Sequence, residues 1–182
     1  MLRKRMLSAA VIGLFAAVSL AGTPAVAGAE TTEAAVQANL DREVAKRAAL
    51  SPAAAHVCYA VHVAFSGWLP TVCDGEEAGI PWEAKQIEAI RISVSPGSVC
   101  YEPHLQDIGW AGESCNNAQA GTTGQSRRLE ALTIRGEGGV RICYTAMGLG
   151  YDYDDQGPRC QNDPVGTTGQ SRYMSGIKIW TA

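Results

Sequence analysis

Beyond its first twenty residues the chain has no long apolar run and no lipidation motif, so no membrane anchor is expected outside that opening stretch. Positive charge is also scarce. With residues 1–27 set aside, three basic residues and no acidic one are removed, leaving 12 Lys and Arg against 18 Asp and Glu, a formal net charge of −6. A chain of that sign does not attract nucleic acid or anionic lipid by bulk charge. The usual signatures of catalysis are missing: there is no nucleophile elbow and no His-Glu-x-x-His pair. Gly121-Thr122-Thr123-Gly124 superficially resembles a phosphate loop, but it lacks the lysine such loops carry and does not open a helix. It reads as a tight turn requiring positive φ.

The opening stretch has the layout of a secretory signal peptide. Arg3, Lys4 and Arg5 precede an apolar run from Met6 to about Leu20, and Ala25-Val26-Ala27 supplies a small-x-small cleavage site. Cleavage is expected after Ala27, with Ala29 as the alternative, which makes the protein secreted and extracellular. All six cysteines lie beyond that point, and an even count in an exported chain argues for a disulfide framework.

Residues 28–55 form a leader in which, from Glu30 on, there is neither glycine nor cysteine. Alanine, glutamate, lysine and arginine give it good helix propensity. Its apolar stripe is thin: Val36, Leu40, Val44 and Ala48 recur every four residues. A solvated helix or partly disordered linker is expected, ended by Ser51-Pro52; docking onto the body is the other reading.

From residue 56 the pattern is β, and it repeats. Cys58-Tyr59 recurs as Cys100-Tyr101 and Cys143-Tyr144, and Gly67-Trp68 recurs as Gly109-Trp110. Third comes a Gly-rich corner followed by a strand. It is Gly79-Ile80-Pro81-Trp82 leading to Ile87–Ile92, Gly121–Arg128 leading to Leu129–Ile134, and Gly166–Arg172 leading to Met174–Ile179. The units are 56–97, 98–139 and 140–182, one domain of three copies. The remaining cysteines follow the same period, which favours one bridge per unit: Cys58–Cys73, Cys100–Cys115 and Cys143–Cys160. Other connectivities stay open on spacing alone. Zinc is disfavoured, because the spacing matches no metal knuckle.

The run His62…Gly67-Trp68…Ala78-Gly79…Ile87-Glu88-Ala89-Ile90, repeated as His104…Gly109-Trp110…Ala120-Gly121-Thr122-Thr123-Gly124-Gln125-Ser126…Leu129-Glu130-Ala131-Leu132, resembles the clostridial hydrophobic W (ChW) repeat. The resemblance spans about residues 56–182. It implies an extracellular, non-catalytic module acting at cell surfaces in adhesion or in contact with polysaccharide or protein. Three departures stand out. Paired cysteines are unusual for the family, the first unit has Ile80-Pro81-Trp82 at its corner, and the third has Gly150-Tyr151 in place of Gly-Trp.

Trp68 and Trp110 are the natural candidates for ligand contact, although in a chain with only 7% aromatic residues a core position is the favoured reading. Trp82, unmatched in the other units, is the better candidate for an exposed aromatic, and Tyr151 is the third-unit counterpart. His62 and His104 are equivalent, as are Glu88 and Glu130, and the third unit replaces both types together, with Met147 and Ser175. Joint loss points to a His–Glu contact within each of the first two units. A structural polar pair is favoured over acid–base catalysis, because no nucleophile or third member accompanies it. The acidic run Asp152-Tyr153-Asp154-Asp155, with Asp163 further on, is weighed as a calcium loop and read by default as a solvated loop.

The expected protein is therefore all-β, with three repeats in pseudo-threefold arrangement, a β-prism or alternatively a β-trefoil. Closing a ring hides sheet edges. Its expected role is non-enzymatic binding of cell-wall polysaccharide or glycoprotein, alternatively of an extracellular protein as a protease inhibitor would, with the loop from Glu76 to Trp82 inserted in a cleft. No cofactor, metal, nucleic acid or membrane partner is expected.

Overall fold

A computed structural model describes residues 32–182. The expected signal peptide and the first residues of the leader lie outside the described residues. Each repeat contributes one antiparallel pair of long strands: β1 (His56–Val63) with β2 (Ile87–Ser95), β3 (Ser98–Leu105) with β4 (Leu129–Glu137), and β5 (Ile142–Gly148) with β6 (Met174–Thr181). Alternation of apolar residues sends Val57, Tyr59, Val61 and Val63 of β1 inward, where they join Ile90 and Ile92 of β2. Their counterparts Tyr101, Leu132, Ile134, Tyr144, Ile177 and Ile179 belong to the same buried cluster. The three sheets thus share one core. None closes into a barrel, which favours the prism over the trefoil.

The units are locked together by exchange. The two-residue strand Ala120–Gly121 of the second unit adds to β2 of the first, Val165–Gly166 of the third adds to β4, and Ala78–Gly79 of the first adds to β6. The cycle closes on itself. Glycine is required at the exchange. Gly121 has φ +99°, and a Cβ there would lie 2.3 Å from the carbonyl oxygen of Glu88. Gly79 and Gly166 meet the carbonyls of Ser175 and Glu130 in the same way.

The tyrosine after each first cysteine makes the second lock. Tyr59 Oη accepts from Ile179 N at 2.9 Å, Tyr101 Oη from Ile92 N at 3.1 Å, and Tyr144 Oη from Ile134 N at 3.0 Å. Each hydroxyl also donates to a carbonyl of its own unit: Glu76, Ala118 and Asp163 respectively. A buried phenol is thereby satisfied on both sides, at the joint between two units.

The expected pairing holds: Cys58–Cys73, Cys100–Cys115 and Cys143–Cys160 are bonded, each holding a short edge strand to the long strand beside it. For loops of this length the chain-entropy model gives about 3 kcal/mol per bridge. The double substitution Cys100→Ser and Cys115→Ser is expected to lower stability by roughly that amount in a urea titration. A change well under 1 kcal/mol would mean the bridge constrains little.

The linker expectation for the leader is corrected. Residues Glu33–Leu50 form helix α1, capped by Thr32, and it is docked rather than solvated. The thin stripe suffices because its floor is small: Leu40 and Val44 pack on the Cys58–Cys73 bridge. Polar ties hold both ends. Arg47 meets Asp74 at 3.1 Å, Glu33 pairs with Arg91, and Asn117 Nδ2 donates to Asp41 at 2.8 Å and to the Gln37 carbonyl at 2.9 Å.

Candidate functional site

The unusual carboxylates inside apolar strands have a backbone cause. In the β1–β2 ladder His62 faces Ala89 and Val63 faces Ile87, so Glu88 is the extra residue of a β-bulge. Glu130 occupies the same place between Leu129 and Ala131, and Ser175 between Met174 and Gly176. A bulge re-aims a side chain and frees its backbone groups. The freed carbonyls are the ones the neighbouring corner uses: Thr122 N donates to Glu88 O at 3.0 Å, Thr167 N to Glu130 O at 2.8 Å, and Ile80 N to Ser175 O at 3.0 Å.

The re-aimed carboxylates meet the histidines. His62 Nδ1 lies 3.1 Å from Glu88 Oε2, and His104 Nδ1 lies 3.2 Å from Glu130 Oε2. Neither contact has the line of a good hydrogen bond, so each is a close polar pair rather than a directed proton path. The other carboxylate oxygen is held by Gln86 Nε2 at 3.3 Å in the first unit and by Arg128 Nε at 2.9 Å in the second. Both carboxylates are buried.

Across the strand pair, His62 faces Trp68 and His104 faces Trp110, with edge-to-face rings 5.6 and 5.3 Å apart. Each of the first two units therefore presents a tryptophan braced by a histidine, which is braced by a bulged glutamate. In the third unit Met147 and Ser175 replace the brace, and the tryptophan is gone.

The core reading of the tryptophans is corrected: neither belongs to the buried cluster. Trp68 is half-buried because α1 stands beside it and the Arg91 guanidinium lies 5.7 Å over its ring. Thr133 holds the position of Arg91 in the second unit and no helix among the described residues covers that sheet; Trp110 is 42% exposed. Trp82 is 80% exposed in the turn Pro81–Glu83, as expected. Tyr151 is removed from the candidate ligand contacts. It is 8% exposed and fills the space over Gly148, where a Cβ would fall 2.5 Å from its ring. Burial there pushes its hydroxyl well above the ordinary phenol range.

The acidic loop is used locally. Asp152 caps the single turn Tyr153–Gln156, with the Asp155 side chain returning to the Asp152 N–H at 2.7 Å, and Asp163 pairs with Arg159 at 3.3 Å. Among the described residues one cluster has metal-ligand types, Cys100, Glu113 and Cys115, and its sulfurs are bonded to each other. The Glu76–Trp82 loop, which cleft insertion would need free, is committed to the fold through Ala78–Gly79, leaving Glu76 and Trp82 exposed at its two ends.

The family model for clostridial hydrophobic W matches residues 62–96 and 104–138, the two segments that run from the bracing histidine through the bulged glutamate. Neither a curated relative nor a solved structure gives a significant match.

Proposed function

From the premise that the chain carries two ChW repeats, we propose that it is a secreted, non-catalytic binding module that attaches to carbohydrate at a cell surface or cell wall. One observation carries this reading: Trp110 stands 42% exposed at a strand end, held in a fixed orientation by His104, Glu130 and Arg128. Desolvating a large indole on a rigid support is how a protein offers a sugar ring a flat apolar partner. Trp82 supplies a second exposed indole. Three disulfides agree with an extracellular setting.

The same geometry argues against turnover. The His–Glu pairs are tied to structural neighbours, Gln86 and Arg128, and among the described residues they have no nucleophile in hydrogen-bond contact. An extracellular protein partner is the second reading, with exposed Trp82 and Trp110 as its anchors.

The test is retention of the mature protein on insoluble cell wall, peptidoglycan and chitin. Trp110→Ala is expected to weaken retention roughly tenfold or more while the circular dichroism stays native. Retention unchanged in both Trp110→Ala and Trp82→Ala would sink the aromatic-platform reading. No retention on any matrix would move the assignment to a protein partner.

A further inference from the structure

The first unit differs from the second in having α1 beside its tryptophan, and the helix does more than cover it. Between α1 and the segment after β1 lies a cleft of about 240 Å3, lined by Val36 and Asn39 from the helix and by Trp68, Leu69, Pro70 and Thr71. We infer that this cleft is a separate saccharide site, sized for one sugar ring, and that the leader helix is half of it. The inference rests on the carbohydrate-binding reading but concerns a different place from Trp110.

Size comes first. The cleft is below the range that takes drug-sized ligands, roughly 300–1,000 Å3, so its occupant is a single ring. Charge comes second: none of the lining residues is ionisable, which suits a neutral ligand. The third argument is the hydrogen-bonding inventory. Asn39 Oδ1 accepts from Arg42, which fixes the amide, and Asn39 Nδ2 donates to Thr71 Oγ1 at 3.1 Å. An amide nitrogen has two protons, and a hydroxyl that accepts still has its own to give. Asn39 and Thr71 therefore each keep a donor for a sugar oxygen, beside the apolar wall of Val36, Leu69 and the indole. An apolar wall with a few placed donors is the composition of a small-molecule site.

The wall is also firm. Glu33 of α1 pairs with the buried Arg91, whose guanidinium lies over Trp68 and also donates to the Asn117 carbonyl. The helix and the indole are thus coupled through one cation. Among the described residues the second unit has neither a helix at the matching place nor the arginine, whose position Thr133 holds.

The chain holds four tryptophans, so the indole N–H signals of the mature protein are few enough to follow singly by NMR. The probes are glucose, galactose, rhamnose and N-acetylglucosamine, with cyclohexanol as an apolar ring of similar size. At least one sugar is expected to shift the Trp68 signal saturably, with Kd in the millimolar range, roughly −4 kcal/mol. Thr71→Val keeps the shape and removes the hydroxyl, and is expected to weaken binding roughly tenfold. Asn39→Trp plugs a half-exposed position and is expected to abolish the shift.

A shift with cyclohexanol alone, no shift with any sugar up to roughly 100 mM, or a shift indifferent to both variants would overturn the inference. The two readings separate cleanly. Wall retention that survives Asn39→Trp with no monosaccharide binding rejects the cleft and keeps the module. Monosaccharide binding without wall retention does the reverse.

Discussion

Replacing Gly121 with alanine is expected to cost the domain about 3 kcal/mol or more, while Gly124→Ala three residues away costs about 1–2 kcal/mol. Both glycines have positive φ, +99° and +68°. A left-handed backbone penalises any side chain, and that is the whole cost at Gly124, where a Cβ meets nothing within 4 Å. At Gly121 the Cβ would also fall 2.3 Å from Glu88 O and 2.8 Å from Ala89 Cα. Relief requires the exchanged strand Ala120–Gly121 to leave β2, which gives up the Thr122 N to Glu88 O bond and opens the ring. Urea titration of the two variants gives the comparison directly. Equal losses would mean that the exchange is loose and that only backbone conformation matters.

Alkaline pH is expected to unfold the domain through the tyrosines at the joints. Burial pushes the hydroxyls of Tyr101 and Tyr144 up to about 12, only partly offset by the backbone N–H each accepts. Tyr59 moves the same way and further, again through burial first. Below pH 10 these phenols are neutral in both folded and unfolded chains, so their stabilisation is fully present. Above pH 10 the unfolded chain ionises and the folded one does not, and the contribution drains away until the folded phenols ionise near pH 12. A tyrosine moved from 10 to about 12 loses about 3 kcal/mol across that interval, so two or three together approach the whole stability of a small domain. Phenolate absorbance is expected to rise in one cooperative step with the loss of circular dichroism. Gradual ionisation of most tyrosines near pH 10 with structure intact would show that the three hydroxyls are not sealed.

Much of this architecture was legible in the repeat itself. The disulfide partners followed from two cysteines recurring with one period, and the His–Glu contacts followed from Met147 and Ser175 replacing both partners at once. What the pattern did not carry was anything made by a break in periodicity or by a neighbour from elsewhere. Glu88 and Glu130 looked like polar residues stranded in apolar strands because a bulge is invisible to a two-residue alternation. Two-residue strands such as Ala78–Gly79 have no alternation at all, so the exchange left only glycines as its trace. The tryptophans were misplaced for a related reason. Identical Gly-Trp pairs end with different exposure because Arg91 and α1 belong to one unit alone. The docking of α1 was similarly concealed, since four residues one turn apart, of which Val36, Leu40 and Val44 are buried, are a weak stripe unless the surface beneath is known to be a disulfide.

The cyclic exchange of short strands also fixes how many units the domain can contain. A solenoid offers an open last face to which another copy can be stacked. Here the place beside β6 that a fourth unit would occupy is already taken by Ala78–Gly79 of the first, and Thr181 Oγ1 reaches back to the Ala55 carbonyl at 2.8 Å. Growth by one repeat would have to evict the first unit's strand. Copies of this module can therefore multiply only in whole sets of three, as separate beads along a chain, and never as a longer rod.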